Sequence, residues 1–379
     1  MIYLDNAATS FPKPEKVYNE VLNCMKNYAA NPGRSSHDLS IKASAKILET
    51  REEIASFFNI SNPFNIVFTK NATEALNIGI KGVLERGDHV ITTVTEHNSV
   101  LRPLNSLMDK GISVTFLDID EEGYIDINIL KEKINKNTKL IIINHVSNVI
   151  GTIQNISEIG KIAKENGVIF MIDASQSAGS IDIDMKKSNI DLLAFPGHKG
   201  LLGPQGTGGL FISEDIDVNH FSHGGTGSNS DLLSQPNFLP DKFESGTLNV
   251  PAIAGLCEGI KFIKTIGIND IKSYEEELTN YLISEIQKLS FIKIYGPINK
   301  KRASVVSINL DGIDSSTVGY LLNQRNIAVR TGYHCAAMIH KCINTSNLGT
   351  VRISPNYFNK LEDIEKLIDS LKDIYNHRI

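Results

Sequence analysis

Val168-Ile-Phe-Met-Ile172-Asp173, followed by Leu192-Leu-Ala-Phe195-Pro-Gly-His-Lys199, is the stretch that decides the fold. Each run is unbroken in its apolar character and leads into a residue able to do chemistry. Alternating apolar and polar residues would suit a sheet with one wet face, whereas continuous runs suit strands with helices covering both faces. Outward from this pair, short β-rich runs recur at Leu140-Ile-Ile-Ile-Asn144, continuously apolar from Leu140 to Ile143, and at Val114-Thr-Phe-Leu117, Val90-Ile-Thr-Thr93, Ile66-Val-Phe-Thr69 and Gly209-Leu-Phe-Ile212. Helix-like segments, among them 73–81 and 157–166, separate them. The rhythm from 64 to 212 predicts an α/β fold with a mostly parallel sheet.

Residues 220–249 are rich in Gly, Ser, Asn and Pro and predict a long irregular connection. Beyond it the pattern changes to long helices at 252–265 and 271–289, a strand at 304–309, a helix at 316–324, strands at 327–330 and 351–353, and a closing helix from Asn359. That order predicts a second, smaller α/β domain. Periodicity does not decide which domain the strip up to Pro14 joins.

At 379 residues the chain exceeds what one core usually supports, which favours two domains. Apolar residues make up 41% and charged residues 21%, a globular rather than disordered balance. With 38 basic and 43 acidic side chains the net charge is -5, giving no field that would draw a phosphate backbone or an anionic lipid surface. The start has no basic segment followed by an apolar one, and no apolar run is long enough for a bilayer. The expectation is a cytoplasmic protein with neither nucleic acid nor membrane as partner. Four scattered cysteines, Cys24, Cys257, Cys335 and Cys342, suggest thiols rather than a disulfide framework.

Asp173 and Lys199 would both stand at carboxyl ends of strands in one sheet, where open α/β folds hold their ligands. A lysine and an aspartate converging there fit pyridoxal phosphate: the amine forms a Schiff base with the aldehyde, and the carboxylate keeps the pyridine nitrogen protonated. The pair reads also as a plain ion pair at a loop rim. Asn71-Ala-Thr73-Glu-Ala offers a hydroxyl and backbone N–H groups at a helix start, suited to a phosphate or simply to capping. His97 follows the Val90 run to the same sheet edge, where a flat imidazole could stack on a cofactor ring.

In Arg330-Thr-Gly-Tyr-His-Cys335-Ala-Ala, nearby Arg and His favour the nucleophilic thiolate, although a free cysteine serves as readily as a small buried hydrophobe. His334, Cys335, His340 and Cys342 place four soft ligands in nine residues. They lack paired zinc spacing and are cramped for a tetrahedron, so no metal is expected. Gly203-Pro-Gln-Gly-Thr-Gly-Gly209 leads into a strand rather than a helix and so is not a nucleotide loop.

Taken in order, Tyr3-Leu-Asp-Asn-Ala-Ala-Thr9, Asn71-Ala-Thr73-Glu-Ala, Thr95-Glu-His97, Asp173-Ala-Ser-Gln176, Gly197-His-Lys199 and Arg330-Thr-Gly-Tyr-His-Cys335-Ala span nearly the whole chain. Together they resemble the class V aminotransferase family, specifically its group II cysteine desulfurases related to selenocysteine lyase. The resemblance implies a PLP-dependent transferase of fold type I, a homodimer with a large cofactor domain at 15–249 and a small domain built from 1–14 and 250–379. It implies Lys199 as Schiff-base lysine, Asp173 as pyridinium partner, His97 as ring stacker and Gln176 as donor to the cofactor's phenolic oxygen. Ala72, Thr73 and His198 would hold the phosphate, with Thr247 reaching the other subunit's cofactor. Asn148, Arg352 and Arg330 would serve the substrate, L-cysteine, with Arg352 suited to pair its carboxylate in two hydrogen bonds or else forming a strand-end salt bridge.

Two departures from the family stand out. Pro196 occupies the position before Gly-His-Lys where a serine hydroxyl usually helps to bind phosphate, and proline has no donor. Ala336-Ala337-Met338 replaces a stretch that commonly carries proline. The implied reaction takes L-cysteine to alanine, with Cys335 carrying the sulfur as a persulfide until an acceptor, such as iron–sulfur cluster assembly, removes it. Selenocysteine lyase, another β-lyase or aminotransferase, and a non-catalytic sulfur carrier or zinc-binding interaction protein are the alternatives.

Overall fold

The computed structural model describes residues 1–33 and 35–377. In chain order the first part contains β1 (Ile2–Tyr3), α1 (Glu15–Asn27), α2 (Asp38–Phe57), β2 (Ile66–Thr69), α3 (Ala72–Val83), β3 (His89–Thr93), α4 (Asn98–Met108), β4 (Ser113–Leu117) and α5 (Ile127–Lys133). It continues through β5 (Thr138–Asn144), α6 (Ile156–Glu165), β6 (Ile169–Asp173), β7 (Leu192–Pro196) and β8 (Gly208–Ile212). Strands β2 to β8 form a seven-stranded sheet in the order β2-β8-β7-β6-β5-β3-β4. These are the seven runs read from the sequence. Neighbours from β7 through β4 are parallel, while β8 runs antiparallel to both β7 and β2. The link from β7 to β8 is too short for a helical crossover, so the chain turns straight back.

Both faces of the central strands are covered, which is why the runs 140–143, 169–172 and 192–195 are apolar throughout. One buried cluster joins Ile141, Ile143, Phe170, Ile172, Leu193 and Phe195 to residues of α2 and α6. The opposite cluster joins Leu140, Ile142, Met171 and Leu192 to α3 and α4. Gly79 on α3 makes room for the Met171 side chain: a Cβ there would lie 2.6 Å from its Cε.

After β8 the described chain has no helix or strand until α7 (Val250–Ile266), as the Gly- and Ser-rich composition predicts. Then follow α8 (Ile268–Ile286), β9 (Ile292–Tyr295), β10 (Val306–Leu310), α9 (Ser315–Gln324), β11 (Ile327–Ala328), β12 (Arg330–Gly332), α10 (Ala337–Cys342), β13 (Thr350–Ile353) and α11 (Leu361–Asn376). Asn249 caps α7 by accepting from Ala252 N, and a proline at its first turn suits a helix start. Ile253, Leu256 and Ile260 of α7 share the core beneath the large sheet.

The expected strand at 327–330 is instead two strands in different sheets. Strand β11 pairs in parallel with β1, while β12 joins the antiparallel sheet β12-β13-β10-β9. Leu4, Val306, Ile308, Val351, Ile353 and Leu367 form the separate core of this part. The amino-terminal strip is held against it, since Asn6 N donates to Ser354 O and Ser354 N to Leu4 O.

Candidate active site

The carboxyl ends of β3, β5, β6 and β7 open into one cavity of about 220 Å3, closed from the other side by β12 and β13. Asp173 ends β6, buried, with Oδ1 accepting from Ser175 N at 2.9 Å and its carbonyl accepting from His145 N. Lys199 follows β7 and lines the same cavity. Loss of water around its amine lowers its pKa to about 8, against the opposing pull of the Asp173 carboxylate.

His97 caps α4, its Nδ1 accepting from Ser99 N at 3.0 Å. Burial brings its pKa down to about 4, so the ring is neutral near pH 7 with its proton on Nε2. The amino terminus of α3 places Ala72 and Thr73 on the cavity wall beside His198. His198 Nδ1 lies 3.1 Å from Thr9 Oγ1, and burial lowers its pKa to about 4. Gln176 lines the cavity while Nε2 donates to Ala7 O. Pro196 lines it as well.

Across from the sheet, Arg352 is only 1% exposed. Its Nη2 pairs with Asp5 Oδ1 at 2.8 Å and its Nη1 donates to Asn148 O at 3.0 Å, while Nε is buried without a partner. Asn148 donates from Nδ2 to His334 O and leaves Oδ1 without a partner. One buried donor and one buried acceptor thus stand without partners beside the cavity.

Cys335 is exposed, and Arg330 Nη2, which reaches from the cavity, lies 3.3 Å from its Sγ. Its carbonyl accepts from Asn98 N at the start of α4. His334 and Cys335 have φ of +50° and +59°, a left-handed pair of non-glycine residues that the surrounding bonds must hold. Among the described residues, the group of three or more metal-capable side chains with ligand atoms close together is Glu49, Cys257 and Glu258. His334 Nε2 and His340 Nδ1 bond to the Thr350 and Thr345 hydroxyls, and each ring's other nitrogen is buried without a partner. Thr247 is exposed and does not line this chain's cavity.

Three contributors escaped the sequence reading. Asp5 neutralises Arg352 across 347 positions of chain. Lys13 Nζ donates to His198 O at 2.6 Å. Ser99 Oγ lies 2.7 Å from Thr73 Oγ1 and 2.9 Å from His97 Nδ1. Ser99 alone had a local signal, two residues after His97, but a serine at a helix start reads as ordinary capping.

A covered α/β sheet that gathers an enclosed amine, a carboxylate and an imidazole, with a thiol at the cavity's edge, defines an enzyme-like site at the strand ends. The chain belongs to the aminotransferase class-V family, which matches residues 2–367. It is similar to a probable cysteine desulfurase of Methanothermobacter thermautotrophicus, at 36% identity over 98% of this chain and 94% of that protein. A probable cysteine desulfurase of Pyrococcus abyssi is 38% identical over 99% of this chain and 94% of its own length. The solved apo cysteine desulfurase of Thermococcus onnurineus NA1 has a TM-score of 0.93 and 37% identity, covering 99% of this chain and 94% of that one. The fold-type I architecture expected from the motifs is the one found.

Proposed function

We propose that the chain is a pyridoxal-phosphate-dependent cysteine desulfurase that converts L-cysteine to L-alanine and carries the sulfur on Cys335. The observation that carries this reading is the convergence of Lys199, Asp173, His97 and Arg352 on one cavity, with Arg330 reaching from it to Cys335. Relatives named probable cysteine desulfurase over nearly the full chain support it.

The residues fit the cofactor. The amino terminus of α3 with Thr73 and His198 suits its phosphate, the neutral His97 ring and the Asp173 carboxylate suit its pyridine, and the Lys199 amine suits its aldehyde. When bound, pyridoxal phosphate supplies an aldehyde that joins amines and a pyridinium ring that draws electrons from the substrate's Cα. Lys199, poised near pH 8, takes the Cα proton and returns it. Arg352 and Asn148, on the cavity wall across from Lys199, face the substrate carboxylate. The Cys335 thiolate bonds to the substrate sulfur as the Cβ–S bond breaks. That bond's electron pair returns to the carbon skeleton, which is protonated and leaves as alanine, and Cys335 keeps the persulfide.

The reading extends to a homodimer in which the exposed Thr247 of one protomer reaches its partner's cofactor. It extends also to a cytoplasmic setting that keeps the free thiols reduced, and to a sulfur acceptor in a pathway such as iron–sulfur cluster assembly. The exposure of Cys335 supports transfer to an acceptor thiol.

The test is the visible spectrum of the purified protein, at roughly 320–450 nm for the lysine-bound aldehyde, with alanine and sulfide assayed after L-cysteine. Cys335→Ser is expected to keep the visible band and lose sulfide release. Full activity in that variant would remove Cys335 from the reaction. Faster turnover of selenocysteine, cysteine sulfinate or alanine would move the reading to a lyase or aminotransferase.

A further inference from the structure

We propose that Ser99 is a second hydroxyl ligand of the cofactor phosphate, supplying the donor that Pro196 lacks. The inference rests on the reading above that the cavity binds pyridoxal phosphate. Helices α3 and α4 begin just after the carboxyl ends of β2 and β3, and their first turns bring Thr73 and Ser99 together on one wall. Ser99 is 7% exposed, yet it lines the cavity, and its Oγ lies 2.7 Å from Thr73 Oγ1.

The hydrogen-bond arithmetic leaves this hydroxyl available. His97 Nδ1 already accepts the backbone N–H of Ser99 at 3.0 Å, so the ring does not depend on the Oγ proton, although Oγ lies 2.9 Å away. Within the Thr73–Ser99 pair one hydroxyl donates to the other, so only one of the two protons is spent between them. Each hydroxyl rotates freely about its C–O bond, so a phosphate arriving at the α3 terminus can take both protons.

The anion needs those donors. Pro196 lines the cavity but has neither a backbone N–H nor a hydroxyl to give, and His198 Nδ1 is engaged with Thr9 Oγ1. Because Ser99 also touches His97, one side chain links the phosphate anchor to the residue that faces the ring. A charge-assisted hydrogen bond of this kind is worth roughly ten- to a hundredfold in affinity.

The experiment titrates the cofactor-free protein with pyridoxal phosphate and, separately, with pyridoxal, following the visible band. Ser99→Ala is expected to weaken pyridoxal phosphate binding roughly tenfold or more while leaving pyridoxal binding unchanged. Adding Pro196→Ser to that variant is expected to restore most of the loss, and no recovery would overturn the part assigned to Pro196. Pyridoxal phosphate affinity within twofold of the parent overturns the proposal. So does an equal loss for both ligands, which would mark Ser99 as support for His97 alone. Should Ser99→Ala not fold, the same two titrations on Ser99→Cys, which keeps the size and weakens the donor, decide it. If the parent protein binds neither ligand, the cofactor reading falls with this one; if it binds the phosphate form and Ser99→Ala binds equally well, only this inference falls.

Discussion

The role proposed for Lys199 rests on lost hydration around its amine, which lowers its pKa to about 8 against the pull of Asp173. Below that pH the amine carries a proton and has no lone pair for an aldehyde; above it the lone pair is free. The rate at which the cofactor-free protein captures pyridoxal phosphate should therefore rise with pH and level off above about 8. Stopped-flow absorbance across that range checks this, and a rate still climbing toward the usual lysine value of 10.5 would show that the cavity does not desolvate the amine. Lys199, Asp173 and His97 were legible in the sequence because each follows an apolar strand, so that the strand ends alone bring them together. Asp5 and Ser99 were not legible. Asp5 meets Arg352 only after β1 has paired with β11 and the strip has been held beside Ser354, and nothing in its local sequence encodes that meeting.

The strands themselves were the easiest elements to read, since burial on both faces demands continuous apolar runs. Their order and the reversal at β8 depend on the connections rather than on composition. The break at Val329 arises because β11 and β12 serve different sheets, which no two-residue periodicity can signal. Where β3 and β5 end, a buried polar cluster joins them. Glu96, with no exposure, accepts at Oε1 from Thr93 Oγ1 and Asn144 N, while Thr95 Oγ1 donates to Asn144 Oδ1. Burial raises the Glu96 pKa from 4.5 to about 8, with the nearby Asp173 carboxylate adding to the rise. The folded chain thus retains a proton there that the unfolded chain gives up, so this group's contribution to stability is full below pH 4.5 and is lost as pH rises to about 8. Glu96→Gln keeps the accepting oxygen and never ionises. Its melting temperature should exceed that of the parent by a margin that widens from pH 4.5 to pH 8. A margin that stays constant with pH would mean that Glu96 is not protonated in the folded state.

At the scale of the molecule, the cavity lies between the large sheet and β12–β13, while Thr247 stands outside it. Helix α1 buries Val17 and Cys24 toward the protein, yet it leaves Tyr18, Leu22 and Met25 exposed by 43%, 51% and 64%. Their spacing puts them along one face of the helix, an apolar stripe that a lone chain would leave in water. Two copies would cover such stripes, and the proposed role of Thr247 makes that union part of cofactor binding. The protein is therefore expected to sediment at twice the mass of one chain. Leu22→Asp combined with Met25→Asp should shift it toward a single chain, because a buried carboxylate pair is far costlier than an exposed one. Cofactor affinity should fall in step with dissociation, since each site would lose the partner's threonine. A parent protein that sediments as one chain yet holds its cofactor tightly would exclude the shared site, and a variant that dissociates without losing affinity would take Thr247 out of it.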